Sequence, residues 1–90
     1  MTYKRVDFTK KFTKQFQKLS TRHKTAFYVK LELWQDNPHD KSLRDHALKG
    51  SYIGYRSIDV APDLRALYYS QGDTIIIFAL IGTHSQLYGK

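Results

Sequence analysis

DHALKGSYIGYRSIDVAPDLR, residues Asp45 to Arg65, is neither a helix nor an unbroken strand. Its 21 residues hold one His, two Arg, one Lys, three Asp and two Tyr, together with two Gly and a Pro. So dense a mixture of titratable and turn-forming residues reads as a site-bearing segment rather than as scaffold. Its second half, Tyr52 to Val60, reads as a strand, with Gly54 marking a bulge or a close backbone approach. Ala61-Pro62-Asp63 reads as a turn.

Downstream, Leu64 to Tyr69 alternates. Leu64, Ala66 and Tyr68 share one face of a strand, and Arg65, Leu67 and Tyr69 share the other. Gln71-Gly72-Asp73 is a hairpin turn. Ile75 to Ile81 is apolar throughout, which suits a central strand covered on both faces. Gly82 ends that strand. Thr83 then caps a short helical turn carrying His84, Leu87 and Tyr88.

Upstream, Tyr3 to Phe8 alternates weakly and predicts a short strand. Thr9 caps a first helix in which Phe12, Phe16 and Leu19 recur at i, i+4 and i+7. Ser20 and Thr21 break the pattern and cap a second helix, from about Arg22 to Gln35. Ala26, Val29, Leu33, Phe27, Leu31 and Trp34 give it a wide apolar face. Asn37-Pro38 ends it, because the residue before proline avoids the α region. Residues 38 to 51 read as a loop. The two helices form an αα-hairpin that must bury its apolar stripe against one face of an antiparallel meander. The fold expected is therefore α+β, with a small antiparallel sheet.

Ninety residues suit a single domain spanning 1–90. There is no cysteine, which removes disulfides and thiolate metal sites. No run of about 18 apolar residues is present, and the N-terminus has no apolar signal core, so the default expectation is a cytoplasmic protein. Fifteen Lys and Arg against eight Asp and Glu give a net charge of +7. On so small a domain that field favours phosphate backbones or an acidic protein partner. His23 and His39 are isolated, and no histidine pair has a metal-binding spacing, so no metal or other cofactor is expected. No Walker loop, G-x-S-x-G or dinucleotide fingerprint occurs.

Four motifs stand together: His46-Ala47-Leu48-Lys49-Gly50; Gly54-Tyr55-Arg56; Pro62-Asp63-Leu64-Arg65-Ala66-Leu67-Tyr68; and Gly82-Thr83-His84-Ser85-Gln86-Leu87-Tyr88. In combination they resemble the YafQ branch of the RelE/ParE toxin superfamily, over nearly the whole chain. The resemblance implies a RelE-like fold and a type II toxin–antitoxin toxin, an mRNA interferase that cuts message on the ribosome. It implies a cognate antitoxin as partner, with a monomer when free and a hetero-oligomer in complex. It places an active site on His46, Asp63, His84 and Tyr88, and Arg65 stands where the wider RelE group carries a catalytic Arg. Two positions depart from the pattern. Asp59 stands where the family often has His, and Leu64 where it often has Trp.

The chemistry such a cleavage asks for agrees with these residue types. RNA carries its own nucleophile in the 2′-OH, so a metal is not required. A base must take the 2′ proton, a cation must steady the phosphorane, and an acid must protonate the leaving 5′-oxygen. His46 and His84 suit the proton transfers, in either assignment. Arg65 suits the phosphate, Asp63 an orienting or basic role, and Tyr88 a stacking or hydrogen-bonding one. Lys49 and Arg56 are candidate substrate-binding cations. Lys10, Lys11, Lys14 and Lys18 form a basic face able to rest on ribosomal RNA. The alternatives are a ParE-like gyrase poison, which shares the fold without the histidine pair, and a catalytically weakened member that only binds its antitoxin.

Overall fold

The computed structural model describes residues 5–89. Its elements run β1 (Arg5–Phe8), α1 (Lys10–Gln17), α2 (Thr21–Asp36), β2 (His46–Ala47), β3 (Arg56–Ala61), β4 (Leu64–Gln71), β5 (Ile75–Gly82) and α3 (His84–Tyr88). Tyr3 and Lys4 of the expected first strand lie outside the described residues.

The five strands form one sheet in the order β1-β5-β4-β3-β2. The β2–β3, β3–β4 and β4–β5 pairs are antiparallel, as tight turns require. β1 joins the far edge parallel to β5, with Val6 opposite Ile76 and Phe8 opposite Phe78. The sheet is therefore mixed. The helical hairpin between β1 and the rest supplies the long connection that a parallel pair needs. The expected loop over residues 38–51 contains two further features, a 3-10 turn at Lys41–Leu43 and the two-residue strand β2. A second 3-10 turn, Gly50–Tyr52, takes the start of the expected third strand, and β3 begins only at Arg56.

Both helices start where hydroxyl side chains can cap them. Thr9 Oγ1 accepts from the Phe12 amide at 3.0 Å, and Ser20 Oγ accepts from His23 at 3.1 Å. Thr9 also donates to the Ala79 carbonyl (2.8 Å), and Gln15 Oε1 accepts from the Ile81 amide (3.0 Å). Here the β4–β5 ladder slips register, between Leu67 and Tyr68. Side chains of α1 thus serve backbone groups of β5 beside a bulge, where regular pairing is interrupted.

The main core lies between the hairpin and the sheet. Phe12, Phe27 and Trp34 meet Ile58, Val60, Leu64, Ala66, Tyr68, Ile76, Phe78 and Ile81. Leu64, Ala66 and Tyr68 do share the helix-facing side, as their alternation predicts. Val29 does not join this core: it and Tyr28 are exposed on α2, so the apolar face of that helix is narrower than the composition suggests. Among the described residues, no helix is long and apolar enough to cross a membrane.

Candidate active site

On β4, Arg65 alternates with the core residues and so belongs to the other side of the sheet. There a cleft of about 380 Å³ is lined by Arg44, His46, Leu48, Asp59, Arg65, His84 and Tyr88. Four of the five residues expected to carry chemistry, His46, Arg65, His84 and Tyr88, therefore meet in one place. They come from three separate parts of the chain, and each is placed by a local device.

His84 and Tyr88 ride on α3. Thr83 caps this helix by accepting from the Gln86 amide (3.1 Å), while Gln86 Oε1 accepts from the Thr83 amide (2.8 Å). This is a reciprocal capping box. Gly82, just before it, leaves room for the Gln86 side chain. A Cβ at Gly82 would stand 2.9 Å from Gln86 Oε1 and 3.3 Å from its Cβ. His84 and Tyr88, one helical turn apart, bring their rings within 4.7 Å, centroid to centroid. Tyr52 braces the helix from the side. Its hydroxyl donates to the Leu87 carbonyl at 2.7 Å, and its ring meets Tyr88 edge-on at 5.6 Å.

His46 opens β2, opposite Ser57 of β3. Its Nδ1 lies 2.7 Å from the Arg44 carbonyl. A carbonyl can only accept, so Nδ1 carries the proton. In neutral His46 the lone pair is then on Nε2, free to take a proton. Arg44 sits in the left-handed region, φ 50° and ψ 42°, at the end of the 3-10 turn. A non-glycine residue in that conformation is uncommon, and such conformations concentrate at functional sites.

Arg65 and Asp59 face each other across the β3–β4 ladder. The Asp59 carboxylate is shared, with Oδ1 3.4 Å from Arg65 Nε and Oδ2 3.5 Å from Arg44 Nε. The cleft therefore holds two guanidiniums, two imidazoles and one carboxylate.

The other candidates stand elsewhere. Asp63 occupies the exposed two-residue turn between β3 and β4 and is not among the side chains lining the cleft. Lys49 is exposed at the start of the second 3-10 turn, also outside the lining. Arg56 Nε donates to Asp45 Oδ1 at 2.8 Å. That bond raises the pKa of the guanidinium and ties Arg56 to a network on the helix side of the sheet. In the same network Asp45 Oδ2 accepts from Trp34 Nε1 (3.3 Å) and from the Tyr68 hydroxyl. Burial, followed by the bond to Asp45, pushes the Tyr68 hydroxyl well above the ordinary tyrosine range. Lys10, Lys11, Lys14 and Lys18 are all exposed on or just after α1.

Arg44 and Asp59 are the charged cleft residues to which sequence reasoning did not assign a functional role. For Arg44 the available signal was a cation two positions before a site histidine. Its carbonyl contact and its pairing with Asp59 depend on a left-handed turn that no motif marks.

The match to known proteins is extensive. Residues 4–89 match the family model described as "Bacterial toxin of type II toxin-antitoxin system, YafQ". The chain is 31% identical over 93 residues to the mRNA interferase toxin YafQ of Escherichia coli K12, covering 99% of this chain and 100% of that protein. The crystal structure of YafQ from E. coli BL21(DE3) superposes with a TM-score of 0.80 at 27% identity, over 93% of this chain and 97% of that one. A YafQ chain in the crystal structure of the E. coli DinJ-YafQ toxin-antitoxin complex gives 0.77 at 27% identity, over 93% and 96%. With its motifs, its fold and nearly its full length in agreement, this chain belongs to the YafQ family of bacterial type II toxin–antitoxin toxins.

Proposed function

We propose that this chain is an mRNA interferase, one toxin domain acting in the cytoplasm, that cuts RNA at the cleft on the sheet face away from the helical hairpin. The observation that carries this is the convergence of His46, Arg65, His84 and Tyr88 on that cleft. The family membership and the full-length likeness to a named mRNA interferase support the same activity.

The geometry supports the following step. Nε2 of His46 takes the proton of the 2′-OH, since its Nδ1 is committed to the Arg44 carbonyl. The 2′-oxygen attacks the adjacent phosphorus. Arg65, with Arg44 beside it, binds the non-bridging oxygens as charge builds on the phosphorane. The P–O5′ bond then breaks, leaving a 2′,3′-cyclic phosphate on one fragment. His84, in its protonated form, gives a proton to the departing 5′-oxygen, so the second fragment ends in a 5′-hydroxyl. Tyr88 holds the His84 ring from one side and offers a surface on which a base can stack. No metal enters this scheme. Asp63, at the exposed turn, has an outer role toward bound RNA or toward the ribosome, and Lys49 and the α1 lysines supply long-range attraction to phosphate.

The partner that restrains it is an antitoxin, as in the DinJ-YafQ complex. A net charge of +7 suits an acidic antitoxin segment, and it equally suits the ribosome and its message as the working surface. Inducing the protein in growing bacteria tests the proposal. Translation should stop within minutes, without a DNA-damage response. Arrest accompanied by DNA damage with translation intact would point to a gyrase-directed toxin instead.

A further inference from the structure

Asp59 is unlike Asp45, another half-buried carboxylate of this fold. Asp45 is saturated, with three donors and a 2.8 Å bond to Arg56. Asp59 instead lies 3.4 and 3.5 Å from two arginines, beyond the roughly 2.7–2.9 Å of a strong charge-assisted bond. Its side chain is 22% exposed, and it lines the cleft beside both histidines. Arg44, its outer partner, is 77% exposed and carried on a loop. Asp59 is thus a loosely held anion at the point where two phosphate-binding guanidiniums converge.

We infer that Asp59 is a positioning residue: an internal anion that keeps Arg44 and Arg65 converged in the cleft and yields them to the scissile phosphate. The inference rests on the cleavage reading above and deepens it. Two consequences have opposite signs. The carboxylate competes with phosphate for the same guanidiniums, so its charge weakens binding. It also holds an exposed arginine where it will be needed, so its loss slows the chemical step. A residue that merely stabilised β3 would shift both quantities the same way, or neither.

The test compares wild type, Asp59→Asn, Asp59→Glu, Arg44→Gln and the Asp59→Asn/Arg44→Gln pair. Binding is measured by fluorescence anisotropy at low salt with a single-stranded oligodeoxynucleotide, which has no 2′-OH to cleave. Cleavage is measured on a translated message. Asp59→Asn should bind about five-fold tighter, the scale of one exposed ion pair, and that gain should shrink when Arg44 is already Gln. Its cleavage at saturation should fall about ten-fold. Asp59→Glu, which keeps the charge, should stay near wild type in binding. Unchanged or weaker binding by Asp59→Asn, or equal behaviour of the Asn and Glu variants, would overturn the inference. If the amide disturbs β3, Asp59→Ser makes the same comparison. A wild-type protein that cuts no message would sink the proposed function, while the binding comparison would still decide whether Asp59 competes with phosphate.

Discussion

At the scale of single residues, the division of labour in the cleft is specific enough to be broken one group at a time. His84→Ala and His46→Ala each remove a proposed proton-transfer group, and each should lower cleavage by about 10²–10⁴-fold while leaving the fold intact. Rates from single-turnover assays on a translated message check this. Arg65→Lys keeps the charge but loses the planar fork that meets two phosphate oxygens at once. It should still cost about ten-fold or more in rate, with circular dichroism unchanged. By contrast, Arg56→Gln should act through stability, because its guanidinium is spent on Asp45 rather than on the cleft. Residue types and motif spacing made the two histidines, Arg65 and Tyr88 legible. They could not tell that Asp63, Lys49 and Arg56 lie outside the cleft lining, since a turn, a loop or an ion-pair partner looks the same as a lining residue in one dimension. Arg44 and Asp59 were hidden for the converse reason: their place in the cleft depends on whom they meet.

Elements position these residues, and their defects should show as coupled losses. Gly82→Ala would drive a Cβ into Gln86 and break the capping box. Activity should therefore fall further than thermal stability, because α3 carries His84 and Tyr88 directly into the cleft. Tyr52→Phe removes one bond to Leu87, worth about 1 kcal/mol. In a domain of this size that is a drop of about 4–8 °C in melting temperature. The Asp45 network predicts a pH dependence. The unfolded chain ionises tyrosine near the ordinary value of 10.0, whereas burial holds Tyr68 neutral well beyond it in the fold. The folded state thus retains a proton that the unfolded state loses. The contribution is fully present below pH 10 and declines as pH rises above it. Equilibrium unfolding of wild type and Tyr68→Phe between pH 8 and 11 would reveal it, with the variant losing less stability over that interval. The elements themselves were largely readable from periodicity and hydroxyl caps. The two-residue strand β2, the two 3-10 turns and the exposure of Val29 were not. They depend on tertiary partners, such as the Tyr55 carbonyl that meets the Leu48 amide, rather than on local pattern.

For the whole molecule, the arrangement separates the main core from the proposed site by the two faces of one sheet. Helices α1 and α2 cover one face and build the main core, while α3 and the β2 region frame the cleft on the other. The topology explains how so small a chain brings distant motifs together. β3 and β4 sit side by side in the sheet, β2 flanks one of them and β5 the other; β2, β3 and β4 each deliver a cleft residue, and β5 leads into α3, which delivers His84 and Tyr88. A positive domain of this kind should bind RNA less tightly as salt rises, because phosphate contacts release counterions. The central claim is that His46 and His84 jointly cut message in this cleft. Its most direct test is primer extension on one translated message after induction of wild type, His46→Ala and His84→Ala at matched protein levels. New 5′ ends within the message for wild type, and their near absence for both variants, are the predicted result. Equal cleavage by all three proteins would contradict the account.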